Sequence, residues 1–511
     1  MTATLRHILL LLGVILSGCS HYLDVSPDSA FDVSIDREDK IAELLTGAYP
    51  DASYFPFLEP RTDNVGERTY GEHYQLNEAM YLWEDYDQED LDTPLAYWNA
   101  CYRGIGQANK ALELLKDYPK TDRVKALYAE AFLLRAYLHF MLVNIWAEPY
   151  RGVVSELSPG IPYLTAPEKH ALVSYERGTV AEVYRKIEAD LRRGISLVND
   201  RYLEKPKYHF NKKAAYAFAT RFYLMMGRWD EVVAYADYVL GATPRTVLRD
   251  WMAYEREFRF RRESLHQSYS SASSPANLLL TTTESRWARD LPRQLYGTTE
   301  AEMKDIYTRR GILGCTDYEH INLMLPYVFV NSPSPVKQGV YTAKFGELAL
   351  FGAAGTRPRD LYVTNVLLST DEVMLSRMEA YTMLGRYDEA VNDLLTFMES
   401  KFHSTPPCPR TSYTNSHSGM YNDIAPYYGV SQRQLGLLKI ILDFRQKEFL
   451  HEGLRWFDIR RFHIAVRRTS HHPLYRPLDR DDYRKVLQIP TEALHRGLKP
   501  NPRNDVHTQM N

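Results

Sequence analysis

Residues 223–240 read YLMMGRWDEVVAYADYVL, and residues 381–398 read YTMLGRYDEAVNDLLTFM. The two stretches align without a gap at an offset of 158 residues, Gly227 falling on Gly385. Each opens with apolar residues at helical spacing, breaks at Gly-Arg-aromatic-Asp-Glu, and resumes the same period. Gly227 and Gly385 stand where a helix must stop and the chain must turn, because glycine enters the left-handed region without a Cβ clash. Asp230 and Glu231, like Asp388 and Glu389, then fall in the first turn of the following helix, where its dipole favours negative charge. Both stretches therefore predict a helix–turn–helix hairpin.

Ala390 and Leu394 have the small-x₃-large spacing of a tetratricopeptide-type hairpin. One such hairpin cannot bury its own apolar face, so hairpins stack. The expected fold class is mostly α-helical: tetratricopeptide-like hairpins packed as a scaffold, with long loop-rich insertions and little β-structure. The regular period of such arrays is missing, because residues 243–365, rich in Ser, Thr, Pro and Gly, and residues 406–432 interrupt it. Upstream, Ile41, Leu44, Leu45 and Ala48 mark an amphipathic helix ending near Pro50. Trp98, Tyr102, Ile105, Ala108 and Leu112 mark a helix over 95–115. A third, over 124–146, carries Leu127, Ala131, Leu134, Leu138 and Met141 on one stripe and Phe132, Leu133, Tyr137 and Phe140 elsewhere, so neighbours should enclose it. Hairpins over about 36–242 and 366–462, the insertion 243–365 and a closing segment 463–511 then make one domain from residue 36 to 511.

The N-terminus predicts export. Arg6 and His7 precede an apolar run from Ile8 to Leu16, followed by Ser17, Gly18 and Cys19. The run is shorter than the roughly 20 residues of a spanning helix, and small residues before a cysteine have the form of a bacterial lipobox. The expectation is a signal peptide over 1–18, lipid on Cys19, and a tether and extended leader over 19–35. Several acyl chains, at about 0.8 kcal/mol per buried CH₂, anchor stably. Cys101, Cys315 and Cys408 are too few and too scattered for a disulfide framework or a Cys-x-x-Cys zinc site, and allow one bridge at most. The net charge of −3, or −4 once Arg6 is removed, points away from nucleic acid.

Nothing in the chain spells out catalysis, a metal or a cofactor. Glu448 and Glu452 are four apart and flanked by Arg445 and Arg455, which predicts an ion ladder along one helix face. His471-His472 has no HExxH context, Gly104-Ile105-Gly106 lacks the third glycine of a dinucleotide site, and there is no G-x-S-x-G or P-loop. Binding has a positional signal instead. Residues 51–102 hold 11 aromatics in 52, about a fifth, against 13% in the whole chain. Sugars present flat C–H faces and rims of hydroxyls, which aromatic platforms and Asp, Asn or Arg groups meet together. Asp63, Asn64, Tyr81, Trp83 and Tyr86 are the candidate ligand residues of this segment, and Trp287 and Tyr296 those of the insertion, with Arg289 and Tyr318 nearby. Packing competes for every one of these rings, and Trp98, on a helix stripe, is expected to pack.

Taken in order, these segments resemble the SusD/RagB family of outer-membrane lipoproteins. The helix at 126–146 (ALYAEAFLLRAYLHFMLVNIW) is similar to the family's early helix, and 211–240 and 367–398 to its two clearest hairpins. The most specific match is 441–462, with Arg445, Glu448, Glu452, Gly453, Arg455, Trp456, Asp458 and Arg460; Ile489-Pro490 and Asn501-Pro502 resemble the closing segment. The chain departs from the family pattern at Ala147-Glu148-Pro149, and at Ser369 and Thr370, where an arginine is common upstream of the glutamate matching Glu372. The resemblance implies a non-catalytic protein, lipid-anchored in the outer membrane and facing the cell surface. It would capture a glycan and deliver it to a SusC-like TonB-dependent transporter. Capture of a peptide, or a purely structural adaptor role, are the alternatives.

Overall fold

The structure is a computed structural model that describes residues 37–167, 175–258, 261, 264–307, 312–313, 327–329, 340–350, 360–402, 408–416, 418–424 and 428–503. The signal peptide, Cys19, the leader to residue 35 and Tyr318 lie outside these residues.

Helices α1 (Glu38–Thr46), α2 (Phe55–Leu58), α3 (Gln75–Tyr81), α4 (Pro94–Leu114), α5 (Asp122–Trp146), α6 (Val180–Leu197), α7 (Lys212–Met226) and α8 (Trp229–Leu240) form the first half. Then come α9 (Trp251–Phe258), α10 (Leu265–Tyr269), α11 (Trp287–Asp290), α12 (Glu300–Tyr307), α13 (Thr370–Met383), α14 (Tyr387–Glu399), α15 (Gln432–Glu448), α16 (Leu454–Arg461) and α17 (Thr491–His495). Their ends carry the expected signals. Thr93, Thr121, Asn211 and Ser369 each accept a hydrogen bond from an amide of the first turn, and Thr179 with Glu182 and Ser431 with Gln434 close capping boxes. Gly227 and Gly385 turn the two hairpins at φ 68° and 73°.

The repeated hairpins, α7–α8 and α13–α14, meet directly. Helix α13 packs against α7, α8, α14 and α15, so the offset of 158 residues in sequence becomes contact in space. Helix α5 is buried on every side, between α4, α6, α7 and α1. It is long and apolar enough to cross a membrane, yet 83% of its most apolar window is inside the protein, which makes it a core helix. Helices α1 and α4 approach so closely that a Cβ on Gly104 would stand 2.4 Å from the Ala48 carbonyl oxygen. Cys101 is a free buried thiol, whereas Cys408 is disulfide-bonded.

The insertion carries most of the β-structure. Strands are β1 (Gly66–Glu67), β2 (Asn277–Glu284), β3 (Tyr296–Gly297), β4 (Tyr327–Phe329), β5 (Val340–Thr342), β6 (Glu347–Leu350) and β7 (Asp360–Ser369). Strand β7 is central in an antiparallel β2-β7-β6 sheet, with Asn277 opposite Ser369 and Glu284 opposite Tyr362. It runs straight into α13, so the insertion is sewn to the second hairpin. Where the family arginine is missing, Ser369 caps α13, and Glu372 takes its guanidinium from Arg221 on α7, at 2.6 Å.

The ladder expected among Arg445, Glu448, Glu452 and Arg455 does not form. Helix α15 ends at Glu448, so Glu452 lies in the turn beyond it and the four do not share a face. Each instead finds a distant partner inside the protein: Arg445 pairs with Asp458, Glu448 with Lys401 and the Trp251 indole, Glu452 with Lys344 and Tyr269, and Arg455 with Asp63. Burial pushes the Glu448 carboxyl up, although Lys401 opposes it. All four are at most 3% exposed, which makes them cross-links of the core.

Candidate ligand-binding cleft

The aromatic segment and the insertion come together around two short pairings. Strand β1 pairs with β3, and Glu72 bridges Gln294. Asn77 on α3 clamps Tyr296 through both backbone groups, at 2.8 and 3.0 Å. The Tyr81 ring stacks on the Tyr296 ring, centroids 4.2 Å apart. Further along, the Arg286 amide donates to Asp92 at 2.7 Å and its guanidinium to Asp90 at 2.8 Å. The connection between α3 and α4 is bracketed by two left-handed residues, Trp83 (φ 58°) and Asp92 (φ 66°), a conformation tolerated only where surroundings enforce it.

Between these contacts lies a cleft of about 310 Å³. Its wall on one side is His73, Tyr74, Leu76, Asn77, Tyr86, Gln88 and Asp90 to Thr93, and on the other Arg286, Trp287, Asp290 and Gln294. Tyr86 and Trp287 are therefore the candidates that the structure brings to one cavity. The Trp287 indole, 2% exposed, donates to the His451 carbonyl at 3.3 Å and is almost wholly covered.

The other candidates have internal partners. Asp63 pairs with Arg455 at 2.6 Å. Asn64, fully buried, accepts from Gln446 and donates to Glu59, each at 2.8 Å. Tyr81 and Tyr296 belong to a small core with Val65, Leu82 and Leu295, against which Tyr475 packs. Trp83 donates to the Arg61 carbonyl at 2.9 Å and lies under the Arg468 guanidinium. Arg289 is drawn to Glu347.

Sequence reasoning missed the polar lining. Asp92-Thr93-Pro94 reads as a helix start, which Thr93 and Pro94 are, and this masks the carboxylates beside it. The Arg286…Asp290 spacing of one helical turn was the available signal. Burial pushes Asp92 up to about 6, opposed by Ser285 and the Arg286 amide, and Asp290 likewise to about 6, opposed by Arg286 and Arg289. Although burial opposes it, the Arg286 hydrogen bond holds Asp90 below the usual carboxylate range. Among the described residues no group of three or more His, Cys, Asp or Glu is placed to hold a metal ion.

Residues 21–224 match the SusD-like family model described as starch-binding, associating with outer membrane. No curated protein matches the sequence. Among solved structures, a SusD superfamily protein from Bacteroides thetaiotaomicron VPI-5482 superimposes with a TM-score of 0.66 at 19% identity, covering 91% of this chain and 100% of that one. A SusD-like carbohydrate-binding protein from Bacteroides vulgatus ATCC 8482 gives 0.66 at 14% identity, covering 93% and 100%. A laminarin-binding SusD-like protein gives 0.58 at 17%, covering 91% and 99%. The fold along the described chain is that of SusD superfamily proteins, and the sequence over residues 21–224 is similar to the SusD-like family.

Proposed function

We propose that the chain is an outer-membrane lipoprotein that captures an oligosaccharide in the cleft between residues 73–93 and 286–294 and passes it to a SusC-like TonB-dependent transporter. The observation that carries this reading is the composition of the cleft. Tyr74, Tyr86 and Trp287 stand beside Asp90, Asp290, Asn77, Gln88 and Arg286 on short helices and irregular backbone held by a helical scaffold. Rings meet the C–H faces of a pyranose; carboxylates and amides meet its hydroxyls. Asp63, Asn64, Tyr81, Trp83 and Tyr296 hold the walls in place. A volume near the lower end of the roughly 300–1,000 Å³ usual for ligand sites suits a short stretch of glycan. Ligand is held without chemistry. Anchoring rests on Leu16-Ser17-Gly18-Cys19, and location and glycan class on the description of the matching family and of the laminarin-binding relative.

Calorimetry with a panel of oligosaccharides tests this. At least one should bind and be recovered unhydrolysed. Tyr86→Ala should weaken it about ten- to a hundredfold, as expected for one stacking platform worth about 1–3 kcal/mol, with little change in melting temperature. Unaltered binding by that variant places the site elsewhere.

A further inference from the structure

We propose that the cleft admits uncharged glycans and rejects those bearing uronate or sulfate groups, with Asp290 as the specificity-determining residue. The inference rests on the cleft being the ligand site. Three carboxylates, Asp90, Asp92 and Asp290, line it against one guanidinium, Arg286, and one imidazole, His73. The guanidinium is already spent: Arg286 bridges to Asp90 at 2.8 Å, while its amide serves Asp92. Arg289 is engaged by Glu347, and Arg293, which acts on Asp290 from outside the lining, is exposed to solvent. Glu72, beside the cleft, adds a further negative charge that acts on Asp290.

The half-buried Asp290 carboxylate has no hydrogen-bond partner among the described residues. Gln294, 3% exposed, leaves its Nε2 without one. The site thus lacks a donor for one group and an acceptor for the other. A sugar hydroxyl is both. A ligand carboxylate or sulfate could accept from Gln294 but would face Asp92 and Asp290, while the guanidiniums of Arg286 and Arg289 are already paired. Two unit charges about 6 Å apart at an effective dielectric near 20 repel enough to weaken binding about a hundredfold.

The test uses the intact chain at mildly alkaline pH and neutral hexose hexamers, including β-1,3- and α-1,4-linked glucose. Each hexamer that binds is compared with the same hexamer after oxidation of its primary hydroxyls to carboxylates. The oxidised form should bind about a hundredfold more weakly, and Asp290→Asn should bring that ratio below about tenfold. Equal binding of the two forms, or an unchanged ratio in Asp290→Asn, overturns the inference. If Tyr86→Ala still loses the neutral hexamer in that case, the cleft remains the site and only its specificity is misread. Neutral binding unaffected by Tyr86→Ala, or no binding by any hexamer, overturns the cleft and this inference together.

Discussion

Glu59 offers a stability test of the cleft's foundation. Its carboxylate is fully buried, with Oε1 accepting from the Asn64 amide at 2.8 Å and the His451 backbone at 2.9 Å, and Oε2 accepting from the Gly453 backbone at 2.9 Å. Burial outweighs these donors and the nearby Lys344, and raises the carboxyl from 4.5 to about 7. At about 1.4 kcal/mol per pH unit that corresponds to about 3 kcal/mol. Below pH 4.5 the group is protonated in both folded and unfolded chains. Between 4.5 and about 7 the unfolded chain releases a proton that the folded one keeps, so stability falls as pH rises; above 7 both are ionised and the loss is constant. Glu59→Gln removes the titration. Its amide must turn an N–H toward one of the three donors, at a cost of about 1–3 kcal/mol, so the variant is the weaker protein in acid. Urea unfolding of both proteins across this range isolates the site, since Asp92 and Asp290 titrate equally in each. The wild-type advantage should shrink by about 3 kcal/mol from acid to alkaline pH. A difference that stays flat, or grows with pH, would refute the argument that burial dominates the three donors.

Removing Glu452 leaves Lys344, whose ammonium is fully buried and 2.6 Å from the carboxylate, with only the Glu448 and Leu450 carbonyls as hydrogen-bond partners among the described residues. Glu452→Ala should destabilise by about 3–5 kcal/mol in denaturant melts, and Lys344→Met added to it should recover part of that loss. Gly104→Ala should lower the melting temperature, because the Ala48 carbonyl and Leu138 occupy the place of its Cβ. Gly106→Ala, with nothing within 4 Å, should raise stability by about 0.5–1 kcal/mol; both rising alike would disprove the close α1–α4 approach. Cys19→Ala should leave the protein soluble after cell fractionation with the transporter gene deleted, and its persistence in the membrane would count against lipidation.

The helical scaffold was legible because periodicity and caps are local. The two glycine-turned hairpins, the α4 and α5 stripes and the Trp98 packing position all follow from residues within a few turns of one another. The insertion was harder, because β2 and β7 pair across separations from Glu284–Tyr362 to Asn277–Ser369, and the Ser, Thr, Pro and Gly around them read as loop. At the cleft, sequence located both walls, since aromatics on irregular backbone are visible as composition. It did not separate rings that line the cavity from rings that hold it: Tyr86 and Trp83 are three residues apart and differ only in what Arg61 and Arg468, from distant segments, do to one of them. The Glu448–Glu452 expectation failed for a related reason. A spacing of four implies neighbours only while the helix continues, and α15 stops at Glu448.

The cross-links between the aromatic segment and the C-terminal signature have a kinetic consequence. Glu59 is tied to His451 and Gly453, Asp63 to Arg455, and Pro60 and Tyr81 to Arg468, across separations of 387 to 408 residues. Such contacts form late, because the entropy of closing a long loop must be met before any of them is gained. Hairpins α7–α8 and α13–α14 can form as soon as each has been synthesised. The segment from Tyr54 to Tyr86 lacks these ties until residues 451–468 arrive. Its rings are exposed in the meantime, which makes this the stretch where a chain delayed in transit is most open to aggregation and proteolysis.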